Sequence, residues 1–244
     1  MPSVLTSLLV GCVVFVTHFV QGVTGFGCAM LAMPFCIMLL GLDVARPVLT
    51  VLALILDIAL LATSWNHIDR RRYLHILAWV LPGLPVGMIA YNVMPQAVLV
   101  RVFAGFMLIV GIQGLAAQAR AGTEARRWPQ WFLHVLLLAG GAAQGAFTSG
   151  GPPVVIYATQ TIPGKSPFRA TLVAIWTTLN VFIVADIVRT HALTGTPGRL
   201  VLICLPFLAA GASLGEAVHR RISGQRFMTL VYIMLLVSAV FTAL

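Results

Sequence analysis

The chain's first apolar run extends from about Val4 to Leu42 and is interrupted once, by Gln-Gly-Val-Thr-Gly-Phe-Gly at Gln21 to Gly27. Glycine at this density loosens a helix. A second apolar run is interrupted at the matching place, 123 to 124 positions later, by Gln-Gly-Ala-Phe-Thr-Ser-Gly-Gly at Gln144 to Gly151, and Pro152 and Pro153 follow at once. Apolar runs of this length leave few options besides a bilayer, and two equivalent interruptions divide the chain into two copies of one unit.

Composition agrees: 60% of the 244 residues are hydrophobic and 9% charged, against roughly 45–50% and 25% in soluble domains. The expected fold is an all-α membrane protein, with the lipid bilayer as its main partner and no room for a soluble catalytic domain. The net charge of +9 comes from arginines in loops between apolar segments, where cytoplasmic placement is the ordinary reason for them, so nucleic-acid binding is not expected. Cys12, Cys28, Cys36 and Cys204 lie in apolar segments without CxxC spacing and read as packing residues; no metal site or cofactor is expected. The first Lys or Arg is Arg46, so the first segment lacks the charged start of a signal peptide and is expected to remain in the mature protein.

Apolar segments run over about 3–20, 28–41, 44–64, 74–93 and 97–117, then 131–145, 152–162, 168–188, 198–217 and 226–244. The division is into a first repeat at 1–118, a cytoplasmic linker at 119–130 and a second repeat at 131–244. Arginine placement selects between two topologies. If each broken pair enters and returns, one side holds eleven Lys and Arg residues and the other four; if each pair crosses once, the split is eight to seven. The first choice puts both termini in the periplasm and gives each repeat an odd number of segments, which inverts the second relative to the first. About five transmembrane or half-membrane helices per repeat then bring the glycine-rich breaks together near the bilayer midplane. Sliding the halves by 123 or 124 aligns Arg46 with Arg169, Asp57 with Asn180, Pro82 with Pro206 and Gly87 with Gly211.

Inverted repeats with paired interruptions point to a secondary transporter whose site lies at the breaks. Glycine admits close backbone approach, and a half-helix beginning at a break aims its positive end at the ligand. Gln21, Gly22, Thr24, Gly25, Phe26 and Gly27, with Gln144, Gly145, Thr148, Ser149, Gly150 and Gly151, are the candidate binding residues for an oxyanion, with amide, hydroxyl and backbone donors. The competing role for the glycines is close helix packing. Arg46 and Arg169 are candidates for attracting the anion at each mouth, or for snorkelling to the interface. Asp57, an acid inside an apolar segment, is a coupling candidate as a proton carrier or cation partner, or else a buried tie between helices. Asp186 and Glu216 are expected at interfaces, His18 hydrogen-bonded in the core, and the five tryptophans mostly in an interfacial belt. Ser149 lacks the Gly-x-Ser-Gly setting and a mid-segment histidine, so the chain is not expected to be an enzyme. A passive anion channel built from the same backbone donors stays open.

Gly-Val-Thr-Gly-Phe-Gly in the first half, Gly-Ala-Phe-Thr-Ser-Gly-Gly-Pro-Pro in the second and an arginine-rich loop after the third segment resemble the TauE/SafE family of sulfite exporters, also called TSUP. The resemblance spans essentially the whole chain. It implies a bacterial inner-membrane carrier of a small sulfur-containing anion, sulfite or an organosulfonate such as sulfoacetate. It leaves open the exact anion, the direction, the coupling ion and the oligomeric state, a homodimer included.

Overall fold

The structure is a computed structural model and describes residues 3–119 and 128–219. Among these, helices follow one another without a strand: α1 (Val4–Thr24), α2 (Cys28–Leu40), α3 (Leu42–Ser64), α4 (Arg70–Val80), α5 (Gly83–Val93), α6 (Gln96–Ala119), α7 (Gln130–Phe147), α8 (Gly151–Thr161), α9 (Lys165–Arg189) and α10 (Thr196–His219). Five stretches among the described residues are long and apolar enough to cross a membrane: Val4–Thr24, Leu42–His67, Arg70–Val93, Lys165–Arg189 and Thr196–Val218. The expected segment at 226–244 lies outside the described residues.

Local chemistry sets the boundaries. Ser3 caps α1 by accepting the Thr6 N–H, and Asp69 caps α4 by accepting the Arg72 N–H, each satisfying a donor that a helix start leaves open. The segment expected at 74–93 is two helices, because the turn at Leu81 and Pro82 ends α4 before α5 begins; its counterpart Pro206 sits inside α10 without ending it. The breaks are shorter than the motifs that announced them. α1 continues through Gln21 to Thr24, so the first break is Gly25 to Gly27, and α7 continues to Phe147, so the second is Thr148 to Gly150.

Packing explains why α1 tolerates Gly22. A Cβ there would stand 2.9 Å from the Ala212 carbonyl oxygen and 3.0 Å from the Gly215 Cα, so this glycine lets α1 and α10 approach backbone to backbone. Gly145 does the same for α7 and α5, with Leu84 and Gly87 opposite. Small residues at helix contacts are the usual membrane solution, since lipid supplies no hydrophobic drive between helices.

The apolar interior has two main centres, and each takes residues from helices of the other half of the chain. One gathers Leu31, Leu49 and Phe103 with Cys204 and Leu208 of α10; the other gathers Leu137, Leu172 and Ile175 with Ile76 of α4 and Leu84 of α5. α3 and α9 pack on each other between them. Large apolar side chains such as Leu5, Leu74, Ile89, Val102 and Leu202 remain exposed on the outer faces, as expected for helices that meet lipid.

Candidate functional site

The two breaks face one cavity of about 30 Å³, lined by residues of α1, α2, α3, α7, α8 and α9. A single water needs roughly 10–15 Å³ on this kind of measure, so the space is small and excludes an extended ligand in this conformation. Its polar floor is a chain of four buried side chains running across both halves. Gln21 Nε2 donates to Asp57 Oδ1 at 2.6 Å, Asn180 Nδ2 donates to Asp57 Oδ2 at 3.0 Å, and Gln144 Nε2 donates to Asn180 Oδ1 at 2.8 Å. Gln21 with Asp57 and Gln144 with Asn180 are the same contact made twice, 123 positions apart, and Asp57 and Asn180 join them where α3 meets α9.

The breaks themselves are closed by their own side chains. Gly25 and Thr148, again 123 apart, both take left-handed backbone, φ 82° and 54°, and donate their N–H groups to the carbonyls of Gln21 and Gln144. Thr24 Oγ1 reaches the carbonyls of Val20 and Phe26, and Ser149 Oγ donates to the Phe147 carbonyl. Thr50 Oγ1 donates to the Arg46 carbonyl, so the 2.7 Å contact between the Thr50 and Thr148 hydroxyls uses the hydrogen of Thr148. All three hydroxyls expected as anion donors thus spend their hydrogens within the protein.

Of the residues expected at the site, Gln21, Phe26, Gly27 and Asp57 line the cavity from the first half, and Gln144, Thr148, Ser149 and Gly151 from the second. Gly22, Thr24, Gly25, Gly145 and Gly150 stand behind this lining. So do both arginines. Arg46 Nη2 donates to the Gly145 carbonyl at 2.7 Å while its guanidinium lies 3.9 Å from the centre of the Tyr91 ring, and Arg169 Nη2 donates to the Gly22 carbonyl at 2.8 Å and pairs with Glu216 at 2.6 Å. Each arginine closes the C-terminal end of the other half's broken helix, where carbonyls lack partners and positive charge is favoured. The two contacts are made at equivalent positions, Arg46 with Gly145 and Arg169 with Gly22. His18 lies in the core with Nδ1 2.8 Å from the Val14 carbonyl, and Asp186 pairs with Arg189.

Several lining residues were not singled out from sequence: Cys28, Ala29, Met30, Ala53, Trp176 and Asn180. Trp176 stands apart from the belt expected of most tryptophans: it is buried, and its indole N–H, facing no acceptor, is a free donor beside the cavity. Asn180 had a signal, its alignment with Asp57. Cys28, Ala29 and Met30 are the first three residues of α2, whose N–H groups lack intrahelical acceptors. The corresponding end of α8 begins Gly151-Pro152-Pro153, and proline has no N–H to offer. The positive helix end at the cavity is therefore chiefly that of α2. The donors left unspent at the lining are the N–H groups that open α2 and the Trp176 indole, beside the single carboxylate of Asp57, an arrangement that suits a small oxyanion once that carboxylate is neutralised.

Compared with known proteins, the chain matches one family model, that of Sulfite exporter TauE/SafE, over residues 9–242. Neither curated proteins nor solved structures give a match.

Proposed function

Because the chain belongs to the sulfite exporter TauE/SafE family, a family of membrane transporters of sulfite and related sulfur anions, we propose that it carries a small sulfur oxyanion, sulfite first, out across the bacterial inner membrane by alternating access. The observation that carries this is the cavity shared by the two breaks, with a chain of amides and one carboxylate crossing from one half to the other at its floor. The twofold reciprocity of the arginine contacts and the eleven-to-four split of basic residues support halves of opposite orientation, with both termini periplasmic. Two such halves exchange conformations and open one site to each side in turn. The size of the cavity favours sulfite over sulfoacetate or taurine. Asp57 requires a proton or a cation whenever the anion is bound, because two like charges in so small a space repel strongly.

Reconstitution in proteoliposomes tests this with sulfite, sulfate, sulfoacetate and taurine as a panel. Saturable sulfite flux that exceeds flux of the larger compounds is the expected result. No flux above protein-free vesicles would remove the assignment, and single-channel current steps would replace the carrier with a pore.

A further inference from the structure

The polar chain has a direction, and the direction is set by a backbone group that cannot reverse. Gly150 N–H donates to Gln144 Oε1 at 2.8 Å. An amide presents an oxygen that only accepts and a nitrogen that only donates, and a half-turn exchanges them. With Gln144 Oε1 held by Gly150, its Nε2 must face Asn180; Asn180 must meet it with Oδ1; and Asn180 Nδ2 must face Asp57 Oδ2. Asp57 Oδ2 therefore always receives a hydrogen bond. Each carboxylate oxygen has a second lone pair, but Oδ1 is the one whose amide neighbour is free to turn and accept a proton placed there.

Oδ1 faces Gln21, and Gln21 has no such anchor. Its Nε2 donates to Asp57, while its Oε1 is buried without a partner. The position equivalent to Gly150 is Gly27, which turns to φ 96° where Gly150 has φ −75°, and its N–H is not brought to Gln21. When a proton from the aqueous phase binds Oδ1, two hydrogens would face each other across the 2.6 Å contact unless Gln21 turns. After a half-turn, Oε1 accepts the proton of Asp57 and Nε2 takes the place of the unpartnered oxygen at the cavity wall. No Lys, Arg, His or Glu shares the cavity, and Cys28 is the other titratable side chain in its lining. On the packed elements, Arg169 is held by Glu216 and Gly22, Arg189 by Asp186 and His18 by Val14, so Asp57 is the group poised to exchange a proton there.

We propose that Gln21 is the coupling switch of the site: protonation of Asp57 at Oδ1 reverses the Gln21 amide, exchanging a buried acceptor for a donor that meets the anion, so that anion and proton bind together. This rests on the transport assignment above and adds to it the residue that links the two ions. Gln144, fixed by Gly150, is the unchanging reference in the other half.

Infrared difference spectra of the reconstituted protein with and without sulfite test it, since sulfite itself absorbs away from the carbonyl region. Sulfite should raise a protonated-carboxyl band that Asp57→Asn lacks, together with a glutamine carbonyl change that Gln21→Met lacks. Asp57→Asn provides a second test that needs no change at Gln21. Its amide oxygen must accept from Asn180, so its nitrogen faces Gln21 and holds that residue reversed; sulfite should then bind with no pH dependence beyond that of the sulfite–bisulfite equilibrium itself and cause no glutamine change. Sulfite stabilisation of the parent protein without a protonated-carboxyl band, or with a glutamine change that persists in Gln21→Met or Asp57→Asn, overturns the switch and leaves the transport assignment standing. Absence of any sulfite-induced stabilisation removes both.

Discussion

The glycines of the two breaks divide into those that pack helices and those that face the cavity, and Gly151 separates the two roles most cleanly. It is the first residue of α8, its backbone is not left-handed, and a Cβ built on it would meet nothing nearer than the Phe26 ring at 3.9 Å. Gly151→Ala therefore costs no packing, and it restricts the unfolded chain, a gain of about 0.4–1 kcal/mol where the native backbone suits alanine. The added methyl occupies part of a space of about 30 Å³. At sulfite concentrations 100 times the dissociation constant, binding stabilises the parent by about 2.7 kcal/mol; a 100-fold loss of affinity at the same concentration leaves about 0.4 kcal/mol. Thermal unfolding in detergent, with and without sulfite, reads both quantities. The variant should melt at or above the parent without ligand and lose most of its sulfite shift. Gly22→Ala should do the opposite, since its methyl pushes α1 from α10 at a cost of about 1–3 kcal/mol, while the protein that folds keeps its shift. A Gly151→Ala protein with the full shift would refute the placement of the anion at this cavity. Gly25→Ala cannot make the distinction: φ 82° and a Cβ only 2.5 Å from Arg169 Cγ penalise it whatever the site holds.

Trp176→Phe keeps one aromatic ring but removes the unpaired indole donor, and should weaken sulfite binding about 10- to 100-fold, the worth of roughly 1.5–3 kcal/mol for a hydrogen bond to a charged group, beyond the modest fall in unliganded melting temperature that loss of buried bulk brings. Asp57→Asn should insert and fold yet transport sulfite without dependence on a proton gradient; parent-like dependence would return Asp57 to a structural tie. Arg46→Met leaves the Gly145 carbonyl uncapped inside the protein and should lower stability by about 1–3 kcal/mol, with the sulfite affinity of the folded fraction retained; a selective loss of affinity would restore Arg46 to a role in attracting the anion. Cysteine labelling at positions 117–130 and 217–225 should place them in the cytoplasm and a C-terminal reporter should be active only outside, and a cytoplasmically active reporter would remove the inverted arrangement.

The breaks were legible because glycine, glutamine and hydroxyl residues are conspicuous in an apolar run, and Asp57 because an acid there is costly. Which glycine does what was not legible. Gly22 and Gly27 belong to one motif, but the helix continues through the first and turns at the second, and composition does not say on which face or at what φ a glycine falls. Arg46 and Arg169 were visible as a repeated pair, whereas their partners are backbone carbonyls, which leave no trace in residue identity. Trp176 was not distinguishable from the other tryptophans because one at a lipid interface and one beside a cavity have the same kinds of neighbours in sequence. The single turn that splits 74–93 hung on Pro82, and Pro206 shows that proline alone does not decide such a break.

The arginine contacts also impose an order on biogenesis. Gly145 emerges from the ribosome 99 residues after the arginine that caps it, so the end of α7 closes as soon as it forms. Gly22 must wait 147 residues for Arg169. Through the whole synthesis of the first half, the Gly22 carbonyl at the end of α1 is without the guanidinium that closes it in the finished fold, and a chain truncated before Arg169 never supplies it.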